Sequence, residues 1–310
     1  MTADVQPLVS VVIPTYNHAH FLGRALQSVL DQTYTKWEAI VIDNHSQDNT
    51  DEVVRSFGDP RISLLKIRNN GVIAASRNMG IRAARGDWIA FLDSDDCWYP
   101  GKLEIALNGI KDNPSIDVCS TDEMLVDQAT GRRAALRYGP YRPDFYRRLL
   151  VTGNCLSPSA TLVRRGLLND KNIRFRENAE FVTAEDYDLW MLLAQAGAKF
   201  HFIHSVQGEY LVHAANSSGQ VDRHRQNIVN VMKDHVYKLQ SFQADKDRLW
   251  RRINARLLLG SAVSLFAERH FVQGIQKLIL AFRSSIAGAL GFFLSRVEHR
   301  IGSSILRWKN

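Results

Sequence analysis

At 310 residues, 45% of them apolar, the chain is long enough for one large folded domain or a domain with an appendage, and its composition excludes a disordered or collagen-like polymer. Its three cysteines, Cys97, Cys119 and Cys155, are odd in number and lack paired spacing, so they suggest neither a disulfide framework nor a zinc site and fit reduced thiols. The net charge of +7 suits an anionic partner; of the two classes that charge allows, a membrane face is the expected one and nucleic acid is not.

The chain opens without a basic n-region, and the only early apolar run is short, so no signal peptide is predicted and a cytoplasmic location is expected. From residue 8 to 120, apolar runs of strand length alternate with helical-period segments, the pattern of a parallel α/β sheet. Strands are predicted at 8–13, 37–42, 62–67, 88–92 and 116–120. Between the first two, Leu22, Ala25, Leu26, Val29 and Leu30 recur on one helix face. A second helix carries Val53, Val54 and Phe57. A third starts near Ile73 and is expected to stop at Gly86 as a left-handed C-terminal cap. Leu103, Ala106, Leu107 and Ile110 make a fourth. Residues 128–131 read as a hairpin loop, and the stretch on to Asn154 as irregular, a place for acceptor contacts. A helix is predicted over 184–196, ended by Gly197, then two short strands at 199–203 and 207–212. Beyond 221 only helical periodicity is found, so the expected division is a catalytic domain over 1–220 and a helical region over 221–310.

Unusual residues end the predicted strands, where open α/β sheets bind ligands. The first ends in Pro14-Thr15-Tyr16-Asn17, which offers hydrogen-bonding side chains and a ring that can stack. Asp43 ends the second, placed to accept from a base N–H or a ribose hydroxyl, with Ser46 and Asp48 after it. Asn70-Gly71 and then Arg77-Asn78 follow the third, and Arg77 can meet a phosphate. The fourth ends in Asp93-Ser94-Asp95-Asp96, where crowded carboxylates call for a divalent cation, Mg²⁺ or Mn²⁺, which in turn would hold a diphosphate. Each residue has a plainer role open to it: Asp43 and Ser46 as turn and cap formers, Tyr16 as packing, Arg77 as a solvated helix residue, Asp96 as a helix cap. Together they describe a nucleotide-binding sheet edge.

With VSVVIPTYNHAHFLGRALQSVLDQTY, WEAIVIDNHSQDNT, NNGVIAASRNMGIRAARGDWIAFLDSDDCWYPGKLE, AEDYDLWMLLAQAG and YLVHAANSS in place, residues 8–219 closely resemble the family-2 glycosyltransferases. The resemblance implies the GT-A nucleotide-diphosphosugar transferase fold, a mostly parallel Rossmann-like sheet flanked by helices, here with a C-terminal helical extension. It implies that Pro14, Thr15, Tyr16, Asn17 and Asp43 hold the nucleoside, that Asn70, Arg77, Asp93 and Ser94 lie along the sugar nucleotide, and that Asp95 is the metal ligand, approached by His213. Two departures stand out: Asn44 replaces a second acid after Asp43, and Leu211 replaces an arginine two residues before His213. A strand-end structural histidine remains the alternative for His213.

Transfer from such a donor needs a base, and AEDYDLW offers three acids. Asp186 shares its helix face with Leu189, Trp190 and Leu193, which are expected to pack inward, while Glu185 and Asp188 are expected to diverge. The resemblance also marks Asp186 as the general base, with inversion at the anomeric carbon; as an ordinary aspartate of pKa about 3.9 it would be a weak one. The alternative is that Thr183 and Asp186 merely cap the helix. Partners implied are a nucleotide-diphosphosugar donor and a glycan or lipid-linked acceptor, as in polysaccharide, lipopolysaccharide or other glycoconjugate synthesis. The longest charge-free apolar stretch, 284–295, is too short for the roughly 20 residues of a membrane span. Residues 286–294, flanked by Arg283 and Arg296, can instead lie in a membrane interface and seat the protein on the inner membrane face. The plainer alternative is packing on the catalytic domain. The rival enzyme, a sugar-nucleotide nucleotidyltransferase, usually carries a Gly-rich phosphate loop that this chain lacks; a third reading is a non-catalytic glycan- or nucleotide-binding module.

Overall fold

A computed structural model describes residues 6–213 and 221–290. The strands are β1 (Val9–Thr15), β2 (Trp37–Asp43), β3 (Ile62–Lys66), β4 (Trp88–Phe91), β5 (Cys97–Trp98), β6 (Val118–Asp127), β7 (Arg133–Leu136), β8 (Thr161–Arg164) and β9 (Phe200–Val212). They form one sheet in the order β3-β2-β1-β4-β8-β6-β9-β5, with β7 paired to β6 outside that path. The pairs β1–β2, β1–β4 and β2–β3 are parallel, whereas β8 runs antiparallel to β4 and β6. Every residue of β1 and β2 is buried, as expected of parallel strands covered on both faces.

Alternation along β1 assigns the two faces. Val9, Val11 and Ile13 join Leu22, Leu26 and Val29 of α1 (Ala19–Leu30), Val54 of α2 (Thr50–Ser56), and Leu103, Leu107 and Ile110 of α4 (Lys102–Lys111) in one core cluster. Val12 faces the opposite layer, where α3 (Ile73–Ala83) comes so close that only Gly80 fits beside it. On that side Phe91 packs edge-on against Phe175 and near Trp190 of α7 (Glu185–Gln195). The helices predicted near 22–30, 73–85, 103–110 and 184–196 are all present.

Three local expectations change, and the hairpin loop is found where it was predicted. Gly86 is not a left-handed cap: α3 ends at Ala84 in an extended conformation, and Gly86 lies flush against β1, where a Cβ would meet Leu8 O, Ser10 N and Ser10 Oγ at 2.7 Å. The two short strands after α7 are one strand, β9, which stays paired to β6 through register shifts near Thr121, Asp122 and Met124. The hairpin loop over 128–131 joins β6 to β7, with Gly131 at φ +69°. The stretch read as irregular contains α5 (Phe145–Thr152), whose buried Phe145, Leu149 and Leu150 escape notice in so short a helix.

The chain packs as two compact units, one of residues 1–143 with 155–224, the other of 144–154 with residues from 225 on. The second unit comprises α5, most of α8 (Val221–Asp234), a π-helical turn over His235–Leu239, α9 (Lys246–Ala267) and α10 (Phe271–Ser284). α10 runs back along α9, with Gly274 against Phe266 and Ala281 clustered with Leu259, and just beyond α10 Gly288 lies against Arg252.

Candidate active site

The carboxyl ends of β1 and β2 are held by their own side chains. Asp43 is wholly buried; its Oδ1 accepts from Ser46 N at 3.0 Å and from Ser46 Oγ at 2.5 Å, and Lys66 Nζ lies 3.4 Å from Oδ2. Ser46 Oγ also receives Asn17 N at 2.8 Å, and Asn17 Oδ1 receives Gln47 N at 2.8 Å, so the two strand ends are laced together. Asp48 Oδ2 accepts from Ala19 N at 2.9 Å and satisfies a first-turn donor of α1. Asn17 sits at φ +52°, which turns the chain sharply after β1. Pro14 is buried opposite Ile42, Thr15 Oγ1 is buried without a hydrogen-bond partner, and Tyr16 is 52% exposed. An unpaired buried hydroxyl beside an open tyrosine ring is a place where a ligand group gains by binding. Asn70 is exposed at φ +51°, while its neighbour Asn69 makes the local bonds, from its N–H to Asn44 Oδ1 at 2.9 Å and from Nδ2 to Ser76 Oγ at 2.8 Å.

Beyond β4 the four acidic-loop residues take four different environments. Asp96 is buried and caps nothing: its Oδ1 accepts from Leu211 N at 2.9 Å and its Oδ2 from Ser159 Oγ at 2.5 Å, while α4 begins after Gly101 with no side-chain cap. Burial, then Glu123, Asp95 and Asp93, push its carboxyl well above the usual range. Leu211, at the position where the resemblance favours arginine, thus contributes its backbone N–H. Ser94 is buried and bonded to His18 Nδ1 at 3.0 Å. Asp95 Oδ2 accepts from His213 Nε2 at 3.0 Å, and burial followed by the Asp93 charge raises the Asp95 pKa. The His213 ring rests on Phe21 at 4.6 Å and near His18 at 6.0 Å. His18 is the site residue that the sequence reading missed; its place directly after the strand-end Asn17 was the available signal.

Arg77 joins the halves of the site. It is 3% exposed, and NH1 donates to Glu185 Oε1 at 2.6 Å while NH2 donates to Asp93 Oδ1 at 2.7 Å. Although burial disfavours its charge, Asp93 and Glu185 hold it more firmly protonated than an ordinary arginine. It is therefore a buried ion-pair centre and not a solvated helix residue. Asp188 is likewise buried, paired through Oδ2 to Arg176 Nε at 2.8 Å. Glu185 and Asp188 do not diverge into solvent as the helix wheel implied; each meets an arginine brought from elsewhere in the chain.

Asp186 remains. It is half-buried, and no side-chain donor bonds it among the described residues, while Leu189, Trp190 and Leu193 of its helix are fully buried as expected. Burial, then the neighbouring Glu185 charge, push its carboxyl up to about 7 against the opposing pull of Arg77. This is a far stronger base than the ordinary aspartate assumed from sequence. The capping alternative fails as well: α7 has Ala184 at its N-cap with no side-chain cap bond. Thr183 sits at φ +71°, a strained conformation for a β-branched residue, with its Oγ1 on His224 Nδ1 at 3.0 Å.

The donor set suits a hard divalent cation. Asp95 brings an oxygen and His213 a nitrogen to within 3.0 Å of each other, and the partly exposed Asp93 flanks them. No three His, Cys, Asp or Glu side chains form a protein-only metal cage among the described residues. Mg²⁺-type sites use one or two carboxylates and leave the remaining positions to water and substrate phosphates.

A model of the family described as Glycosyl transferase family 2 matches residues 10–170. Among curated proteins, the chain is 36% identical over 186 residues to UDP-Glc:alpha-D-GlcNAc-diphosphoundecaprenol beta-1,3-glucosyltransferase WfgD of Escherichia coli, covering 59% of this chain and 68% of that one. The chain spans between 38% and 68% of the length of the relatives that it matches first. Among solved structures it superposes on S. aureus TarS 1–349 in complex with UDP-GlcNAc at TM-score 0.64 and 21% identity, covering 88% of this chain and 79% of that one. It also superposes on the mannosyltransferase PcManGT from Pyrobaculum calidifontis, in complex with GDP-Man and Mn²⁺, at TM-score 0.61 and 19% identity, covering 99% and 82%.

Proposed function

This chain belongs to glycosyl transferase family 2, and from that premise we propose that it moves a sugar from a nucleotide-diphosphosugar to an acceptor hydroxyl, with inversion, in polysaccharide or other glycoconjugate synthesis. The observation that carries the reading is the constellation around Arg77. One buried guanidinium binds both Asp93 of the acidic loop and Glu185, the residue next to Asp186, so that the donor-side acids and the base-side acid belong to one bonded unit.

In the proposed reaction the acceptor oxygen attacks the anomeric carbon while the bond to the diphosphate oxygen breaks. The hydroxyl proton passes to the Asp186 carboxylate, and the nucleoside diphosphate leaves with the electron pair. With its pKa raised to about 7, Asp186 is near the best compromise between being ionised and being basic at neutral pH. Attack from the side opposite the leaving group inverts the centre. Thr15, Tyr16, Asn17 and Asp43 line the nucleoside end, and Asn70 and Ser94 lie along the donor. Asp95 and His213 would hold Mn²⁺ or Mg²⁺, which neutralises the departing diphosphate. Support for a nucleotide-sugar donor and a divalent ion comes from TarS with UDP-GlcNAc and PcManGT with GDP-Man and Mn²⁺, and for a lipid-linked acceptor from the diphosphoundecaprenol in the WfgD name. The catalytic domain over 1–220 is proposed to be joined to a helical region over 221–310 that rests on the inner face of an anionic membrane. Arg296 and the rest of the charged tail after residue 290 lie outside the described residues, as do residues 291–294 of the 286–294 stretch. No described helix is long and apolar enough to cross a membrane.

The test is a thermal-shift and donor-hydrolysis screen over UDP-, GDP- and dTDP-sugars with and without Mn²⁺. Metal-dependent stabilisation and turnover by one nucleotide class are expected; no response to any sugar nucleotide overturns the reading.

A further inference from the structure

The second unit exposes an apolar face that its own packing does not use. α10 turns Gly274, Leu278 and Ala281 toward α9, and around the same helix Phe271, Val272, Ile275, Ile279 and Phe282 are exposed, Val272 by 71%. At about 100° per residue these five fall within a single arc of roughly 100°, next to the arc that contacts α9. The stripe continues past Ser285, where residues 286–290 are again helical and Ile286 and Leu290 are exposed. A contiguous apolar strip of this kind needs a cover.

Charge decides what covers it. From 269 to 290 there is no Asp or Glu; the charged residues are Arg269, Lys277 and Arg283, and Arg283 falls at the border of the stripe. The described part of the second unit carries thirteen Lys and Arg against five Asp and Glu, whereas the first unit carries twenty-two against twenty-six. The chain's positive charge is thus concentrated in the unit that bears the apolar stripe. A second copy of the chain would bring a stripe of the same basic character against this one, and like charges oppose that pairing. An anionic bilayer satisfies both features at once, since apolar side chains sink between the headgroups while Lys and Arg stay at the charged surface.

We propose that the Phe271–Leu290 stripe is a monotopic docking surface by which this chain lies on an anionic membrane. The inference rests on the proposed membrane seat of the C-terminal region and deepens it: the anchor is a preformed amphipathic face on α10, and α10 is held to α9 by its small residues Gly274 and Ala281. Binding then needs both terms, apolar insertion and attraction of opposite charge.

The test is co-sedimentation of the full chain with vesicles of phosphatidylglycerol and phosphatidylcholine, and with phosphatidylcholine alone. Wild type is expected to bind the anionic vesicles at least tenfold more tightly and to be released by high salt. Ile275→Ser/Ile279→Ser replaces exposed side chains, so it should keep its melting temperature and its donor hydrolysis in solution while losing tenfold or more in vesicle binding. If wild type never binds anionic vesicles, the membrane seat itself fails and this inference with it. If wild type binds and the double variant binds equally well, the membrane seat stands and the α10 face is refuted. If sedimentation velocity shows a dimer that the double variant splits, the face is an interface between copies and the proposal is overturned.

Discussion

Arg77 and Glu185, 108 positions apart, meet at 2.6 Å in the interior of the first unit, and the other end of the same guanidinium lies 2.7 Å from Asp93. One side chain of α3 thereby couples the loop after β4 to the first turn of α7. Glu185 Oε2 and Arg77 Nε are buried without other partners, so Glu185 has no substitute bond if Arg77 is removed, whereas Arg77 keeps Asp93 if Glu185 is removed.

Breaking this pair should be expensive. Arg77→Met would leave the Glu185 carboxylate buried without its counter-ion, and a loss of about 3–5 kcal/mol in urea unfolding is expected. Glu185→Met should cost less, because the guanidinium keeps its bond to Asp93. The double variant should lose less than the two singles combined, because it leaves no orphaned charge of that pair. Strict additivity would show that the pair is not coupled.

Asp186→Asn keeps the shape of the side chain and removes the proposed base. Transfer should drop by roughly 10²- to 10⁴-fold, with kcat bearing the loss and donor affinity retained. Isothermal titration with the donor and steady-state kinetics on the acceptor separate the two, and an active variant would remove Asp186 from the mechanism.

The raised Asp186 pKa makes two predictions of opposite sense. Because the base must be ionised, kcat should rise with pH through an apparent pKa near 7. For stability, the folded carboxyl holds its proton up to about 7 while the unfolded one releases it near the ordinary value of about 3.9. The folded state therefore binds more protons over that window; this contribution is complete below about pH 4 and is lost as pH rises through about 7. Asp186→Asn should accordingly melt at a higher temperature than wild type at pH 8, and the advantage should vanish at pH 4. Parallel melting curves over the whole range would contradict the raised pKa.

Asp95→Ala should abolish the Mn²⁺-dependent part of donor binding while the protein remains folded, since the substitution removes one of several crowded carboxylates. A loss of roughly 100-fold or more is expected, above the range for outer-shell partners. Titrating donor with and without Mn²⁺ on both proteins decides it, and an unchanged metal effect would point to Asp93 as the principal ligand.

Gly80→Ala weighs two effects of known size. Helix propensity favours alanine by about 1 kcal/mol, but its Cβ would lie 2.3 Å from Val12 Cγ1, on a β-branched side chain that can scarcely rotate away. Overpacking of this kind typically costs about 1–3 kcal/mol, so net destabilisation is expected. Adding Val12→Ala should recover much of it; if the single variant is more stable than wild type, α3 does not lie this close to β1.

The sequence alone determined whatever depends on neighbours along the chain. Strand and helix periods placed β1 to β4, α1, α3, α4 and α7 to within a few residues, and the residues that end those strands marked the candidate site, because burial pattern and strand termination are local properties. Only the tertiary structure decided how the polar groups pair. That Glu185 turns to Arg77, Asp188 to Arg176, Asp96 to the Leu211 N–H and Ser94 to His18 depends on approaches between residues 12 to 115 positions apart. The same holds for Gly86, which local rules read as a helix cap and which is a glycine because β1 passes against it. Asp186 shows the division most plainly: the helix wheel placed it on the inward face, but its rise to about 7 comes from burial and from the Glu185 charge held beside it, terms that exist only once the chain has folded.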